Sequence, residues 1–68
     1  MTEGSVKYYN EDKGYGFITK DDGGGEIFVH ISNCHKNIEA LAVGDRVRFE
    51  ERISQRNGRP EAIAVELL

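Results

Sequence analysis

Residues 13–18 read Lys-Gly-Tyr-Gly-Phe-Ile, and residues 27–30 read Ile-Phe-Val-His. Successive side chains of a β-strand point to opposite faces, so Tyr15 and Phe17 share one face and Ile18 lies on the other. The same two-residue period separates the aromatic and aliphatic side chains of residues 27–30. The two segments therefore predict neighbouring strands with an aliphatic face for a core and an aromatic face that the core does not need.

The rings on that outer face are Tyr15, Phe17, Phe28 and His30. Flat side chains beside basic residues are the means by which proteins hold unstacked nucleic-acid bases. Lys7, Lys13 and Lys20 lie on or beside the same strands. The pattern predicts a surface for single-stranded nucleic acid.

The rest of the chain predicts three more strands. A first strand covers residues 3–10. The two strands that carry the aromatic face follow at residues 14–20 and 26–30, and the turn at residues 21–25 separates them. Residues 31–37 are a polar crossover in which Ser32 caps one short helical or 3₁₀ turn, with Ile38 and Leu41 packed on the core. A fourth strand follows the turn at residues 43–45, and a fifth covers residues 61–68. Closure into a small barrel would leave no exposed strand edges.

Alternation in the last two strands predicts which side chains are buried. In the fourth strand Val47, Phe49 and Ile53 alternate with arginines, so Phe49 is assigned to the core and Ile53 to the same face. In the fifth strand the sequence alternates Ile63, Val65 and Leu67 with Ala62, Ala64 and Glu66.

The first strand contains a conflict. Strict alternation would put Val6 on the same face as Tyr8, whereas Tyr9 is the residue that fits the core. A bulge or strong bend near Gly4 or Lys7 would resolve this.

Size and composition limit what the protein can be. Its 68 residues form one domain, residues 1–68, with no room for a separate catalytic domain. Cys34 is the only cysteine, so no intramolecular disulfide forms. The N-terminus lacks a signal-peptide pattern and no apolar run is long enough for a membrane span, so we expect a cytoplasmic protein. We also expect it to be a monomer. The net charge of −3 argues mildly against nucleic-acid binding, but a locally positive face can outweigh the sum.

These residues resemble the cold-shock domain family. Its opening pattern, G-x-V-K-W-F-N-x-x-K-G-F-G-F-I, is met by residues 4–10 and 13–18, and its V-F-V-H pattern by residues 27–30. The similarity continues through the Gly-Asp turn at Gly44 and the Gly-Arg-Pro loop to the Ala-Ile-Ala-Val strand. The resemblance implies an all-β, five-stranded antiparallel barrel of the OB type. It also implies binding of single-stranded RNA or DNA, tolerant of pyrimidines, by an RNA chaperone or a regulator of gene expression.

The resemblance also implies the binding residues. The positions that match the family's base-stacking and basic residues are Tyr8, Tyr15, Phe17, Phe28 and His30, and Lys7 and Lys13. Tyr8 stands where the family usually has Trp, and Ile31 and Ile38-Glu39 stand where it usually has Phe and Phe-Lys. Each base–aromatic stack contributes roughly 1 to 3 kcal/mol, so we expect a working platform of shorter reach or weaker binding.

Four other interpretations have less support. His30, Cys34 and His35 are too few for a structural zinc site, and we expect no metal and no cofactor. No Ser/His/acid constellation is visible, so we expect no enzyme. Residues 13–18 also resemble the RNP1 sequence of the RNA-recognition motif, but that fold needs two helices and places its RNP2 strand before RNP1. A protein-interaction barrel with reduced nucleic-acid binding stays open, motivated by Ile31, Ile38, Glu39 and the negative charge.

Overall fold

A computed structural model describes residues 1–68, which form a closed five-stranded β-barrel. A helix with the length and hydropathy of a membrane span is absent from it. The strands are β1 (Thr2–Asn10), β2 (Tyr15–Lys20), β3 (Glu26–His30), β4 (Arg46–Ile53) and β5 (Pro60–Leu67), and a 3₁₀ turn covers Ile31–Asn33.

The strand order around the barrel is β1-β2-β3-β5-β4, and β4 closes the barrel against β1. The predicted all-β, five-stranded fold is confirmed. Four of the neighbouring pairs are antiparallel and β3–β5 is parallel, with Phe28 paired with Glu61 and Val29 with Ala62. Parallel neighbours need a long connection, and here the chain passes through residues 31–45 and β4 before β5 returns beside β3.

The core is aliphatic apart from Phe49, which is 0% exposed. Ile38 and Leu41 are both buried, which confirms that the crossover is packed on the barrel. Tyr9, Ile31 and Cys34 are partly buried against this cluster. The ten buried side chains are Val6, Ile18, Ile27, Val29, Ile38, Leu41, Val47, Phe49, Ala62 and Val65.

A bulge at Lys7 resolves the conflict in β1. Val6 pairs with Ile18 and Tyr8 with Phe17, so Lys7 is the extra residue between two consecutive partners on β2. The bulge reverses the alternation, and Val6 is buried while Tyr8 is 44% exposed. The predicted bulge is confirmed at one of its two expected positions.

The alternation predicted for β5 is wrong, because the strand contains a bulge. Arg48 pairs with Glu66 but Glu50 pairs with Ile63, so β5 holds one extra residue there, and Ala64 adopts a positive φ of 52°. The bulge bends the hairpin and changes which side chains face inward. Ala62 and Val65 are therefore the buried residues of β5. Ile53 keeps the parity of Phe49 along β4, but it lies at the end of the strand, paired with Pro60, and is 60% exposed.

Ion pairs tie neighbouring strands on the outside of the barrel. Arg48 donates to Glu66 across β4–β5, and Arg46 donates to Asp21 after β2. These guanidinium groups hold the pKa values of Glu66 and Asp21 below the usual range of carboxyl groups. All four side chains are exposed or half-exposed, and such pairs contribute little to stability.

Candidate nucleic-acid interface

Five rings form one continuous outer surface on β1, β2 and β3, which we call the aromatic platform. None of its members is among the buried core residues. Strand register brings them together, since Tyr8 pairs with Phe17, Phe17 with Phe28, and Tyr15 with His30. The platform consists of Tyr8, Tyr15, Phe17, Phe28 and His30.

The four phenyl and phenol rings of the platform contact one another, and each is at least partly exposed to solvent. Tyr15 and Phe28 are stacked with ring centroids 5.7 Å apart, and Phe17 meets Phe28 edge-on at 6.0 Å. Tyr8 lies 6.5 Å from Phe17 and 6.4 Å from Tyr15. Because they support one another, the rings need little ordering when a flat ligand stacks on them.

Gly16 allows β1 and β2 to approach closely enough for this arrangement. A Cβ atom at Gly16 would lie 2.1 Å from the carbonyl oxygen of Tyr8 and 2.9 Å from the Cα of Tyr9. Any larger residue would push β1 away from β2. The glycine between Tyr15 and Phe17 is therefore required for Tyr8 to join their surface.

His30 at the end of β3 is held by the turn that follows it. Its Nδ1 accepts a hydrogen bond from the backbone N–H of Ser32 at 3.1 Å and lies 2.9 Å from the Ser32 hydroxyl. The short 3₁₀ turn predicted in the crossover is present, but the prediction that Ser32 caps it is wrong. The imidazole of His30 is the cap. The Ile31 N–H already donates to the Gly14 carbonyl oxygen, and the His30 ring accepts the next N–H of the turn, which is that of Ser32 itself.

The predicted basic residues differ in their partners. Lys7 Nζ lies 2.5 Å from Glu26 Oε2, and Lys20 Nζ lies 3.0 Å from Glu51 Oε1. Lys13 in the β1–β2 turn has no carboxylate partner, and its backbone N–H donates to Asn10 Oδ1. Of these lysines, only Lys13 has an ammonium group that no protein carboxylate neutralises.

The family model described as the 'cold-shock' DNA-binding domain matches residues 2–68. The chain belongs to the cold-shock domain family. The match confirms the family resemblance that the sequence predicts. The members of this family are nucleic-acid-binding, non-enzymatic proteins.

Several curated proteins are similar to this chain, and most of those named below are called cold shock proteins. The cold shock-like protein CspE of Escherichia coli K12 is 51% identical over 49 residues, which cover 71% of each chain. The cold shock protein of Arthrobacter globiformis is 42% identical over 69 residues, covering 100% of both chains. Glycine-rich protein 2 of Nicotiana sylvestris is 44% identical over 64 residues, covering 93% of this chain and 29% of that protein.

A solved structure shows the same fold. The Drosophila Unr structure titled CSD456 superposes with a TM-score of 0.78 at 21% identity. It covers 98% of this chain, while this chain spans only 26% of that one. The likeness supports the five-stranded cold-shock barrel.

The aromatic platform continues into a groove that the sequence analysis missed. Phe17, Phe28 and His30 form one wall, and the β4–β5 loop, with Arg56 and Arg59, forms the other. Within the loop the Arg59 N–H donates to Asn57 Oδ1 at 3.0 Å, and Gly58 takes the positive φ expected of a turn tip. The sequence predicts a turn here, but nothing local in it indicates that the turn folds toward β2 and β3.

Unpaired positive charge is concentrated in loops. Five of the nine basic side chains lie within 4.0 Å of a carboxylate oxygen. Arg52 at the groove is among them, held 2.8 Å from Glu61 Oε2. The four cations without a carboxylate partner are Lys13, Lys36, Arg56 and Arg59. Lys13 lies in the turn beside the platform, and Arg56 and Arg59 line its groove. The net charge of −3 for the whole chain therefore does not describe the charge on this face.

The departures from the family pattern at Ile31 and at Ile38-Glu39 have different structural consequences. Ile38 is a core residue, 7% exposed, and offers no surface for a base. Ile31 packs partly on the core directly after His30, and Glu39 is exposed. The platform therefore ends at His30 on this side instead of continuing with further rings.

The three side chains considered as metal ligands have separate partners. His30 Nδ1 contacts Ser32, Cys34 Sγ lies 3.8 Å from the carbonyl oxygen of His30, and His35 Nε2 lies 3.9 Å from Glu66 Oε2. Burial raises the pKa of Cys34 to about 11, so its thiol is protonated at neutral pH. No group of three or more His, Cys, Asp or Glu side chains is arranged to hold a metal ion.

Proposed function

We propose that the aromatic platform binds single-stranded RNA or DNA through stacking of unpaired bases, and that the protein acts as an RNA chaperone or a regulator of transcription or translation. The observation that carries this proposal is the position of the five rings. They form a continuous surface outside a barrel whose core closes without them. A small domain gains little from exposed rings unless a ligand covers them.

The chemistry of such a site tolerates many sequences. Every base has a π-face, so stacking on Tyr15, Phe17 and Phe28 recognises unpaired bases with little discrimination. Lys13 and the two loop arginines supply charge for the backbone on two sides of the platform. Because the protein binds unpaired segments and not paired ones, it shifts RNA equilibria away from weak hairpins without ATP. We further propose that it works as a monomer in the cytoplasm, where its single free thiol stays reduced.

An NMR titration with a short oligothymidine tests the proposal. We expect chemical-shift changes across the aromatic platform, and smaller ones in the β4–β5 loop at Arg56 and Arg59. A self-complementary duplex of the same length is the control and should leave the platform unshifted at moderate salt. Shifts confined to the opposite side of the barrel, or none at low salt, would contradict the proposal.

The partners of the two lysines lead to unequal effects on binding. Lys13→Ala removes an unpaired charge, so we expect the slope of log affinity against log salt concentration to fall by about 0.7, the value for one phosphate contact on a single strand. Lys7→Ala should change the slope less, because Glu26 already neutralises that ammonium group.

Fluorescence titrations at several salt concentrations measure both slopes. Lys20→Ala, which removes a lysine paired with Glu51, is the matched control and should leave the slope unchanged. An equal reduction for Lys7→Ala and Lys13→Ala would show that the Glu26 pair opens freely on binding.

A further inference from the structure

The two ring nitrogens of His30 have different surroundings. Nδ1 lies 3.1 Å from the backbone nitrogen of Ser32 and 2.9 Å from its hydroxyl oxygen. A backbone N–H only donates, so Nδ1 must present a lone pair to it. In the neutral imidazole the proton then resides on Nε2.

Nε2 makes no hydrogen bond within the protein, and it is not a buried unsatisfied atom. Its edge of the ring faces Gly14, where a Cβ would lie 3.8 Å from Nε2 and 3.9 Å from Cε1. Gly14 stands between Lys13 and Tyr15, and its carbonyl oxygen accepts from the Ile31 N–H at 2.8 Å. The open donor therefore lies at the edge of the platform, beside the glycine that links Lys13 to Tyr15.

We propose that Ser32 fixes His30 in the Nε2–H tautomer and that this N–H donates to an acceptor oxygen of the bound strand. The inference rests on the proposed function and deepens it, since it gives His30 a hydrogen-bonding role that a stacking surface alone lacks. Ser32 is then a positioning residue, which acts through His30 and does not touch the ligand. The acceptor is a phosphodiester oxygen or a base carbonyl oxygen, which offer the same chemistry to an N–H donor.

The tautomer is measured on the free protein. Long-range ¹H–¹⁵N correlation spectra, recorded well above the ordinary titration range of histidine, distinguish protonated from unprotonated ring nitrogens. We expect Nε2 to be protonated and Nδ1 to show the shift of an unprotonated acceptor. A predominant Nδ1–H tautomer, or averaged shifts for the two nitrogens, would overturn the proposal.

Oligothymidine binding tests the donor. His30→Phe keeps a flat ring but removes the N–H, so we expect a loss of affinity of about 2- to 10-fold, the value of one hydrogen bond. If His30 only stacks, the larger hydrocarbon ring should bind as well or better, and that result would overturn the proposal. Amide spectra of the variant verify that the barrel is intact.

Ser32→Ala tests the positioning role in a double-mutant cycle with His30→Phe. In the wild-type background, loss of the hydroxyl should weaken oligothymidine binding by about 2-fold or more, because the imidazole is less firmly held. In the His30→Phe background, the same substitution should have no effect. Equal effects in both backgrounds would show that Ser32 acts independently of His30.

The source of the acceptor is identified with oligothymidines in which one phosphate at a time is replaced by a methylphosphonate. If one replacement abolishes the difference between the wild-type protein and His30→Phe, the acceptor is that phosphate. If the difference persists at every position, the acceptor is a base carbonyl. Failure of the wild-type protein to bind oligothymidine would reject the proposed function, whereas binding that is unaffected by His30→Phe would reject this inference alone.

Discussion

Replacing Phe17 and Phe28 together by alanine is expected to weaken binding of a short oligothymidine by about 2 to 6 kcal/mol, since each base–aromatic stack contributes roughly 1 to 3 kcal/mol. That corresponds to roughly a 30-fold to 10⁴-fold loss of affinity. The rings are paired neighbours on β2 and β3 with centroids 6.0 Å apart, so their loss removes the centre of the platform. Quenching of tyrosine fluorescence by the oligonucleotide measures the effect.

Val43→Ala is the matched control for this pair. Val43 is an exposed apolar residue, 69% accessible, and does not line the groove beside the platform. Since neither Phe17 nor Phe28 belongs to the core, the double variant should also keep its fold, which amide spectra verify. Unchanged oligonucleotide affinity together with loss of an apolar protein partner would favour the protein-interaction alternative.

The second large effect concerns stability. Phe49→Ala is expected to lower the free energy of unfolding by about 3 to 5 kcal/mol, because it empties a fully buried site. At about 0.05 to 0.15 kcal/mol per residue, a chain of this size has only a few kcal/mol available. We therefore expect either an unfolded variant or a thermal midpoint lower by at least about 12 °C.

Ile53→Ala is the matched comparison, because both residues belong to β4 and simple alternation assigns them to the same face. Ile53 is 60% exposed, and we expect its substitution to change the free energy of unfolding by less than about 0.5 kcal/mol. Thermal and urea unfolding followed by circular dichroism measure both variants. Similar destabilisation by the two substitutions would mean that Ile53 is packed in the core in solution and is not exposed.

Local alternation is a reliable guide where the strands are regular. Ile18, Ile27 and Val29 are buried, while the rings of β2 and β3 lie outside, as the two-residue period predicts. The bulge in β1 is also predictable from the sequence. Val6 belongs in the core and Tyr8 on the outer face, but residues two positions apart in a regular strand lie on the same face. The bulge in β5 is not, because the sequence around Ala64 alternates plausibly without one.

The charges of the site are its least predictable part. Lys7 and Glu26 are 19 residues apart in the sequence and meet only because β2 brings β1 and β3 together. Likewise, Arg56 and Arg59 belong to an ordinary turn sequence, and it is the parallel β3–β5 pairing that places this turn beside Phe28. Such pairings depend on strand order, which local patterns do not contain.

By itself, the sequence determined the two faces of β2 and β3, the aromatic surface that they carry and the family to which the chain belongs, because side-chain periodicity and motif spacing are local properties. Tertiary structure alone determined which lysine is neutralised, which arginines lie beside the platform and where β5 bulges. These features depend on contacts between side chains whose separation in space is set by barrel closure.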